Sequence, residues 1–497
     1  MRTTRWVTTL CMAMALSPLS VAQEPSNAEL QRTIRAMQQQ IADLQRAVSE
    51  LQSSTQKHSA ETKAAPEGGY SSSEASATPY DPKRDSGSSS SAGSLSDDVR
   101  LLAAKVDDQF QTKVESGSRY RVKLSGMVLL NLFENRGTVD SIDLPANAEP
   151  PTGLYGAGSF GASLRQSQIG LDVQGPTWAG ARVSGNVRFD FAGGFAGTSN
   201  GSTLGIMRLR TGGVRLDWKT TSFVAGQEAP IFSPLSPTSL ASQAEPALSY
   251  SGNLWTWTPQ VSVEKRFLTG DRSWFSVEAG IMDPQTGYLP QTNYDRLPNA
   301  GEASRQPAYA LHLGWKGGSD EETTTLFGVG GYYSRQDWAF GRHVDAYAGT
   351  IDWQIALPAR FVFSGEFFRG RGIGGLGAAK DHSILSTGPL ASSQTLVQGL
   401  DVLGGWAQLK YRATPKLQFN AALGQDNPYS NELRTFSSTQ NLLDPALGKT
   451  QTAMFNFIYK PKSNLLFSTE YRHIESVRLN QDHLSAEHIN LSIGVLF

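Results

Sequence analysis

Apolar and polar side chains alternate with a period of two from about residue 119 to the end of the chain. A period of two places successive side chains on opposite faces of a β-strand. Near the start of this region Val122, Leu124, Val128, Leu130 and Leu132 share one face, and Arg121, Lys123, Ser125 and Asn131 the other. Further on, Ala181, Val183, Val187, Phe189 and Phe191 stand against Arg182, Ser184, Asn186, Arg188 and Asp190. Phe275, Val277, Ala279 and Ile281 stand against Ser276, Glu278 and Gly280, and Tyr347, Ile351, Trp353 and Ile355 against Ala346, Thr350, Asp352 and Gln354. Leu417, Phe419, Ala421 and Leu423 alternate with Gln418, Asn420 and Gly424; the last run sets Ile489, Leu491, Ile493, Val495 and Phe497 against Asn490, Ser492 and Gly494.

Alternation alone also fits a soluble sandwich with one wet face. Three features favour a transmembrane barrel. Short connections such as 219–221, 357–360, 414–416 and 461–463 alternate with long ones at 135–161, 229–253, 283–306, 371–400 and 427–449. This is the asymmetry of periplasmic turns and extracellular loops. Trp178, Trp218, Phe267, Trp315, Phe361 and Tyr459 collect near strand ends, where interfacial girdles sit. Phe497 is in phase with the apolar face, so the C-terminus closes a strand. The pattern predicts an all-β transmembrane barrel of about 16 antiparallel strands, with both ends in the periplasm. At about 16 strands the interior is too wide for side chains to fill, so it holds an aqueous channel, open or partly occluded by a loop.

The N-terminal part reads differently. Residues 1–22 have the form of a secretory signal: Arg2 and Arg5, an apolar stretch from Trp6 to Leu16, and the small-x-small site Ser20-Val21-Ala22. Residues 23–52 carry a heptad, with Ile34, Ile41 and Val48 at a and Leu30, Met37, Leu44 and Leu51 at d. The strict 3.5 period favours a self-associating periplasmic coiled coil over one amphipathic helix docked on a body. Residues 53–94 are rich in Ser, Gly, Ala, Pro and Thr and read as a flexible linker. A short helix is expected over 95–114, with Leu95, Val99, Leu102 and Val106 on one face, and the barrel over 115–497.

Charge and composition narrow the function. The formal charge is -1, and cleavage of the signal would take Arg2 and Arg5 with it, giving -3. That leaves no electrostatic case for nucleic acid. Cys11 is the only cysteine and lies in the signal, so disulfides and thiol chemistry are not expected. Mean hydropathy is -0.32, and after the signal no run of about eighteen apolar residues forms a spanning helix. His312 falls on the inward parity, His473 and His488 near strand ends, and His343 and His382 at strand-edge or loop positions. They make no paired metal-ligand spacing, and no GxSxG-like turn or phosphate loop precedes a helix. The glycines of 370–377 fit a flexible loop. No enzyme, metal or cofactor is expected.

The inward parity holds charges of both signs: Arg121, Lys123, Arg182, Arg188, Asp190, Arg215, Asp217, Glu264, Arg266, Glu278, His312, Asp352, Glu366, Lys410, Arg412, Glu470 and Arg472. They either line the pore and set ion preference or pair across neighbouring strands. Arginine slightly leads, which predicts weak anion preference. Residues 229–253, stiffened by Pro230, Pro234, Pro237 and Pro246, are the candidate constriction; an ordinary surface loop is the alternative.

The segments TKVESGSRYRVKLSGMVLLNLFENRG (112–137), GLDVQGPTWAGARVSGNVRFDFAGG (170–194) and VRLDWKTTSFVAGQEAPIFSPLSPTSLA (214–241) resemble trimeric outer-membrane porins of the DcaP-like kind. These belong with the phosphate-selective porins O and P in one broad superfamily. The resemblance covers most of 99–497. It implies a sixteen-stranded homotrimer in the lipid bilayer, a periplasmic helical bundle, and diffusion of small anionic or dicarboxylic solutes. Residues 229–253 contain no Lys or Arg, which speaks against phosphate selectivity. The heptad seam by itself favours two strands, so a trimer would be imposed by the barrels. The competing reading is a barrel-anchored structural or adhesive envelope protein without transport.

Overall fold

A computed structural model of the 497-residue chain describes residues 113–114, 120–151, 157–195, 205–287, 296–318, 323–436, 448–478 and 483–497. The expected signal, heptad seam and linker lie outside these residues, as does the expected short helix apart from its end. There Lys113–Val114 pair as a strand with Val122 and Lys123.

Sixteen strands follow. They are β1 (Arg121–Arg136), β2 in two pieces (Ser159–Ser163 and Gln168–Gln174), β3 (Arg182–Asp190), β4 (Arg208–Asp217), β5 (Thr221–Glu228), β6 (Thr258–Gly270), β7 (Ser273–Met282) and β8 (Ala308–Gly317). The second half holds β9 (Thr325–Asp337), β10 (His343–Leu357), β11 (Phe361–Arg371), β12 (Asp401–Thr414), β13 (Leu417–Pro428), β14 (Gly448–Lys462), β15 (Leu465–Arg478) and β16 (His483–Leu496). Each pairs antiparallel with the next, and β16 pairs with β1 from Met127↔Leu496 to Arg136↔Glu487. The sheet therefore closes and leaves no edge.

The alternation is realised as two faces. Leu311, Leu313, Trp315, Val329, Ile351, Leu409, Leu423, Phe455 and Leu491 point outward and are exposed. Inward neighbours such as Asn131, Thr350, Asn420, Asn456 and Ser492 are buried. That is the face assignment a lipid-facing barrel requires. At the short-turn end the outward aromatics stack in sequence: Phe361 on Tyr411 at 4.6 Å, Tyr411 on Phe419 at 6.4 Å, and Phe419 on Phe455 at 6.3 Å. Trp315 stacks on Phe327 at 6.5 Å in the same belt.

The other end carries the connections L1 (137–158), L2 (191–207), L3 (229–257), L4 (283–307), L5 (338–342), L6 (372–400), L7 (429–447) and L8 (479–482), long except for L5 and L8. L3 and L6 do not stand out into solvent. Ile231, Phe232 and Leu254 of L3 and Ile373, Leu376, Ala378 and Leu385 of L6 pack on Met282, Ala310, Tyr332, Ala348 and Phe368 of the inner wall. An apolar core thus sits inside the barrel against β7–β12, with Phe232 and Phe368 wholly buried. Because that side is dry, the space for water lies along the opposite wall, β1–β6.

Candidate functional site

L3 is stitched into the lumen by hydrogen bonds to inward side chains almost all the way round. Ser233 Oγ donates to Glu366 at 2.7 Å, Gln408 accepts from the Thr238 amide at 2.7 Å, and Ser239 Oγ donates to Glu470 at 2.5 Å. Arg472 donates to Ser242 at 2.5 Å, Asn456 to the Thr238 carbonyl at 3.0 Å, and Ser251 shares a hydrogen bond with Thr452 at 2.8 Å. The Thr350 hydroxyl donates to the Phe232 carbonyl, and Arg208 to the Ala244 carbonyl. Gly252, at φ +94°, lets the loop seat: a Cβ there would lie 2.2 Å from the Gly405 carbonyl oxygen.

The break in β2 supplies the remaining anchors. Residues 164–167 leave the ladder, and the Leu129 amide is taken up by Ser167 Oγ at 3.0 Å. This re-aims two side chains, as bulges do. Gln166 turns inward, accepts from the Gln243 amide at 2.6 Å and donates to the Ala241 carbonyl at 3.0 Å. Arg165 forms a buried two-pronged pair with Asp143 of L1, at 2.9 and 2.5 Å. Burial raises the Asp143 carboxyl, but the Arg165 hydrogen bond and charge outweigh it and hold the group below the usual carboxylate range.

The inward charges fall into groups. Arg188 Nη2 donates to both carboxylate oxygens of Asp172, at 2.8 and 2.9 Å, and Arg208 pairs with the fully buried Asp190 at 2.8 Å. Arg215 pairs with Asp217 at 2.8 Å; Arg182 reaches Asp217 at 3.8 Å, and Arg266 reaches Glu264 at 3.9 Å. His312 meets Asp352 at 2.8 Å across β9. That contact needs Gly328, where a Cβ would lie 2.3 Å from both Asp352 Oδ2 and His312 Nε2. Glu278 accepts from Ser262 at 2.7 Å, and Glu470 pairs with Arg472 at 2.5 Å. Asp352, Glu366, Glu470 and Arg472 are buried, the last three of them directly bonded to L3. Arg121 and Lys123 are exposed, while Lys410 and Arg412 are half-buried towards the short-turn end. Two further histidines make local contacts: His382 of L6 to the Lys380 carbonyl at 2.7 Å, and the fully buried His488 of β16 to Asn135 at 2.7 Å.

Arg208 and Arg210 of this wall escape the parity of the sequence. In β4 the register jumps: Arg188 faces Thr211 while Phe189 faces Leu209, leaving Arg210 as the extra residue. The bulge puts its guanidinium inside, 4.5 Å over the Trp257 ring at the end of L3. Arg208 lies 5.8 Å from the same ring. Among the described residues no carboxylate pairs with Arg210, and its Nε has no hydrogen-bond partner. On the same wall Lys123, Ser125, Gln168, Arg188 and Gln243 line a cavity of about 430 Å³. A second, of about 490 Å³, is lined by Arg121, Asp172, Asn186, Arg215 and Glu228 among others.

The fold and this loop-filled lumen define a porin-like sixteen-strand barrel. The outer membrane channel DcaP of Acinetobacter baumannii is similar in structure, with 15% identity and a TM-score of 0.58, over 78% of this chain and 100% of that one. An anion-selective porin from Comamonas acidovorans matches at 10% identity and a TM-score of 0.47, over 76% and 100% of the two chains. OmpT of Vibrio cholerae matches at 10% and 0.44, over 78% and 100%. At these identities the likeness is one of fold. No protein-family model matches the chain, and no curated protein does.

Proposed function

We propose that this protein is an outer-membrane porin passing small anionic solutes by diffusion. The path is off-centre, along the wall of β1–β6, past an L3 constriction. The observation that carries the reading is Arg210, an unpaired guanidinium held inside the barrel by a bulge and an aromatic ring. On the same wall Arg188, Arg208 and Arg215 are neutralised by Asp172, Asp190 and Asp217. A fixed positive charge left over in a narrow passage attracts anions and repels cations. Changing Arg210 to Gln tests it by reversal potential under a salt gradient. At about 1 kcal/mol for a water-screened contact pair, anion-over-cation permeability should drop roughly fivefold. An unchanged reversal potential would remove Arg210 from the account.

We further infer a homotrimer joined through β2–β5, with the short turns and both chain ends in the periplasm. These strands are short: the β2 pieces have 5 and 7 residues, β3 has 9 and β5 has 8, against 15 in β14. A tilted strand of nine residues covers roughly 20 Å, less than the ~25 Å apolar band of such barrels. This wall nevertheless exposes Phe160, Leu164, Leu209 and Val214. At the β2 break Val128, Leu130, Leu164, Ile169 and Phe191 line an apolar notch of about 510 Å³. Leu164→Arg is expected to turn trimers into folded monomers on mass-resolved gel filtration. An undisturbed trimer would exclude this wall as the interface.

A further inference from the structure

The turn Ala379–Asp381 of L6 touches both L1 and L3 in a conformation that its residues do not choose. Ala379, Lys380 and Asp381 have φ of 46°, 48° and 65°, and none is glycine. Facing them in L3, Leu248 and Tyr250 also have positive φ, 62° and 57°. Left-handed backbone costs about 1–2 kcal/mol per non-glycine residue and persists only where contacts impose it. The contacts are specific. Tyr250 Oη donates to Asp381 Oδ2 at 2.9 Å. Lys380 pairs with Glu149 of L1 at 2.7 Å, and Glu149 is shared with Arg478 of β15 at 2.6 Å. The Ala379 amide donates to Asp426 of β13 at 2.9 Å, and the Trp255 amide of L3 to the Leu376 carbonyl at 3.2 Å.

We propose that this turn is a releasable clasp on L3, closed by the Tyr250–Asp381 hydrogen bond, and that ionisation of the carboxyls around it loosens the clasp and frees the tip of L3. The groups facing it are Asp140 and Glu149 from L1, Glu245 and Tyr250 from L3, and Lys380, Asp381 and His382 from L6. The walls add Arg208 from β4, Asp426 from β13, and Arg472 and Arg478 from β15. Glu245 lies between L1 and L3 and makes no ion pair or hydrogen bond among the described residues. Burial, then the charges of Asp140 and Asp381, push its carboxyl up to about 7. Asp381 opens to lumen water on one side; enclosure on the others pushes it up to about 6, against the Tyr250 hydrogen bond and Lys380. Burial and the neighbouring carboxylates raise the Tyr250 hydroxyl as well, so it stays a donor throughout. A carboxyl raised in the closed form binds its proton more tightly there than when released and hydrated. The closed form is therefore favoured in acid. It weakens as the pH climbs from the ordinary carboxylate value near ~4 through the raised values.

The test reads loop release by thiol labelling, which does not require a conducting channel. Ser249 is buried at 5% beneath the L3 tip. A Ser249→Cys variant with the signal cysteine removed is labelled by a small methanethiosulfonate, and its rate is divided by that of Leu396→Cys, a 67% exposed position on L6. The ratio is expected to rise about tenfold between about pH 5 and about pH 8, one pK unit's worth of linkage. Adding Tyr250→Phe should raise the acid ratio to the alkaline level. Adding Asp381→Asn with Glu245→Gln should hold it low and flat, because an amide oxygen still accepts from Tyr250. A Tyr250→Phe variant labelled like its parent in acid, or a double carboxamide variant that keeps the parent's pH rise, overturns the clasp. The consequence for flow rests on the porin reading. Silent bilayers with this labelling pattern would retire the porin and keep the clasp, whereas flat labelling of a conducting protein would retire the clasp alone.

Discussion

Excising residues 234–252 and bridging Ser233 to Asn253 with two glycines is expected to raise single-channel conductance about threefold and to lower ion preference, since a barrel of this strand number leaves an aqueous bore unless something fills it. The excision is feasible because the limbs of L3 already meet: Ser233 Oγ lies 3.0 Å from the Leu254 carbonyl oxygen. It keeps Ile231, Phe232 and Leu254, so the apolar packing against β7–β12 is retained. The partners it strips, Gln166, Arg208, Gln408, Thr452, Asn456, Glu470 and Arg472, become hydrated in the widened bore; Glu470 keeps Arg472 at 2.5 Å and Arg208 keeps Asp190 at 2.8 Å. Barrel stability should change little, which a heat-modifiable gel shift checks. Conductance equal to that of the full chain would mean that L3 does not form the constriction.

The second large effect concerns Arg165 and Asp143. Both side chains are nearly enclosed, at 9% and 6% exposure. Arg165→Leu leaves a buried carboxylate without its partner, which costs about 3–5 kcal/mol; replacing both partners by apolar groups is far better tolerated. Arg165→Leu alone should unseat L1 and open it to elastase, whereas Arg165→Leu with Asp143→Val should restore protection. Equal protease resistance in the parent and the single variant would contradict a structural role for the pair. The pH behaviour has the opposite sign to that of Glu245. The Asp143 carboxyl is depressed, so its contribution is present above the ordinary carboxylate value and is lost as the pH falls through the depressed one.

Much of the barrel was legible because its rule is local. Val122, Leu124, Val128, Leu130 and Leu132 keep one parity, as do Ile489, Leu491, Ile493, Val495 and Phe497, and the structure puts them outward; Met127, Leu129 and Leu496, on the other parity, are packed inside. Loop lengths were equally plain, and 229–253 lies in one of the two loops, L3 and L6, that pack inside the barrel. What alternation could not reveal is what happens where it fails. Arg208 and Arg210 have the opposite parity to Arg215, so a strict period of two points them at lipid; the single extra residue in β4 turns them inward. Arg165 and Gln166 likewise sit in a stretch that reads as strand, and only the break in β2 gives them their reach. The proline-free pair Tyr250 and Asp381 are 131 residues apart, and no local pattern joins them. Asp352, Glu366, Glu470 and Arg472 were expected on the inward parity. Their burial beneath or beside L3 depends on loop placement, which a strand pattern does not encode.

The central claim is that water runs through this barrel beside L3. Purified full-length protein in planar bilayers measures it directly. Stepwise conductance increments, with a reversal potential displaced towards the anion under a salt gradient, are the expected result. Folded protein that inserts and stays electrically silent would contradict the claim and favour an envelope anchor.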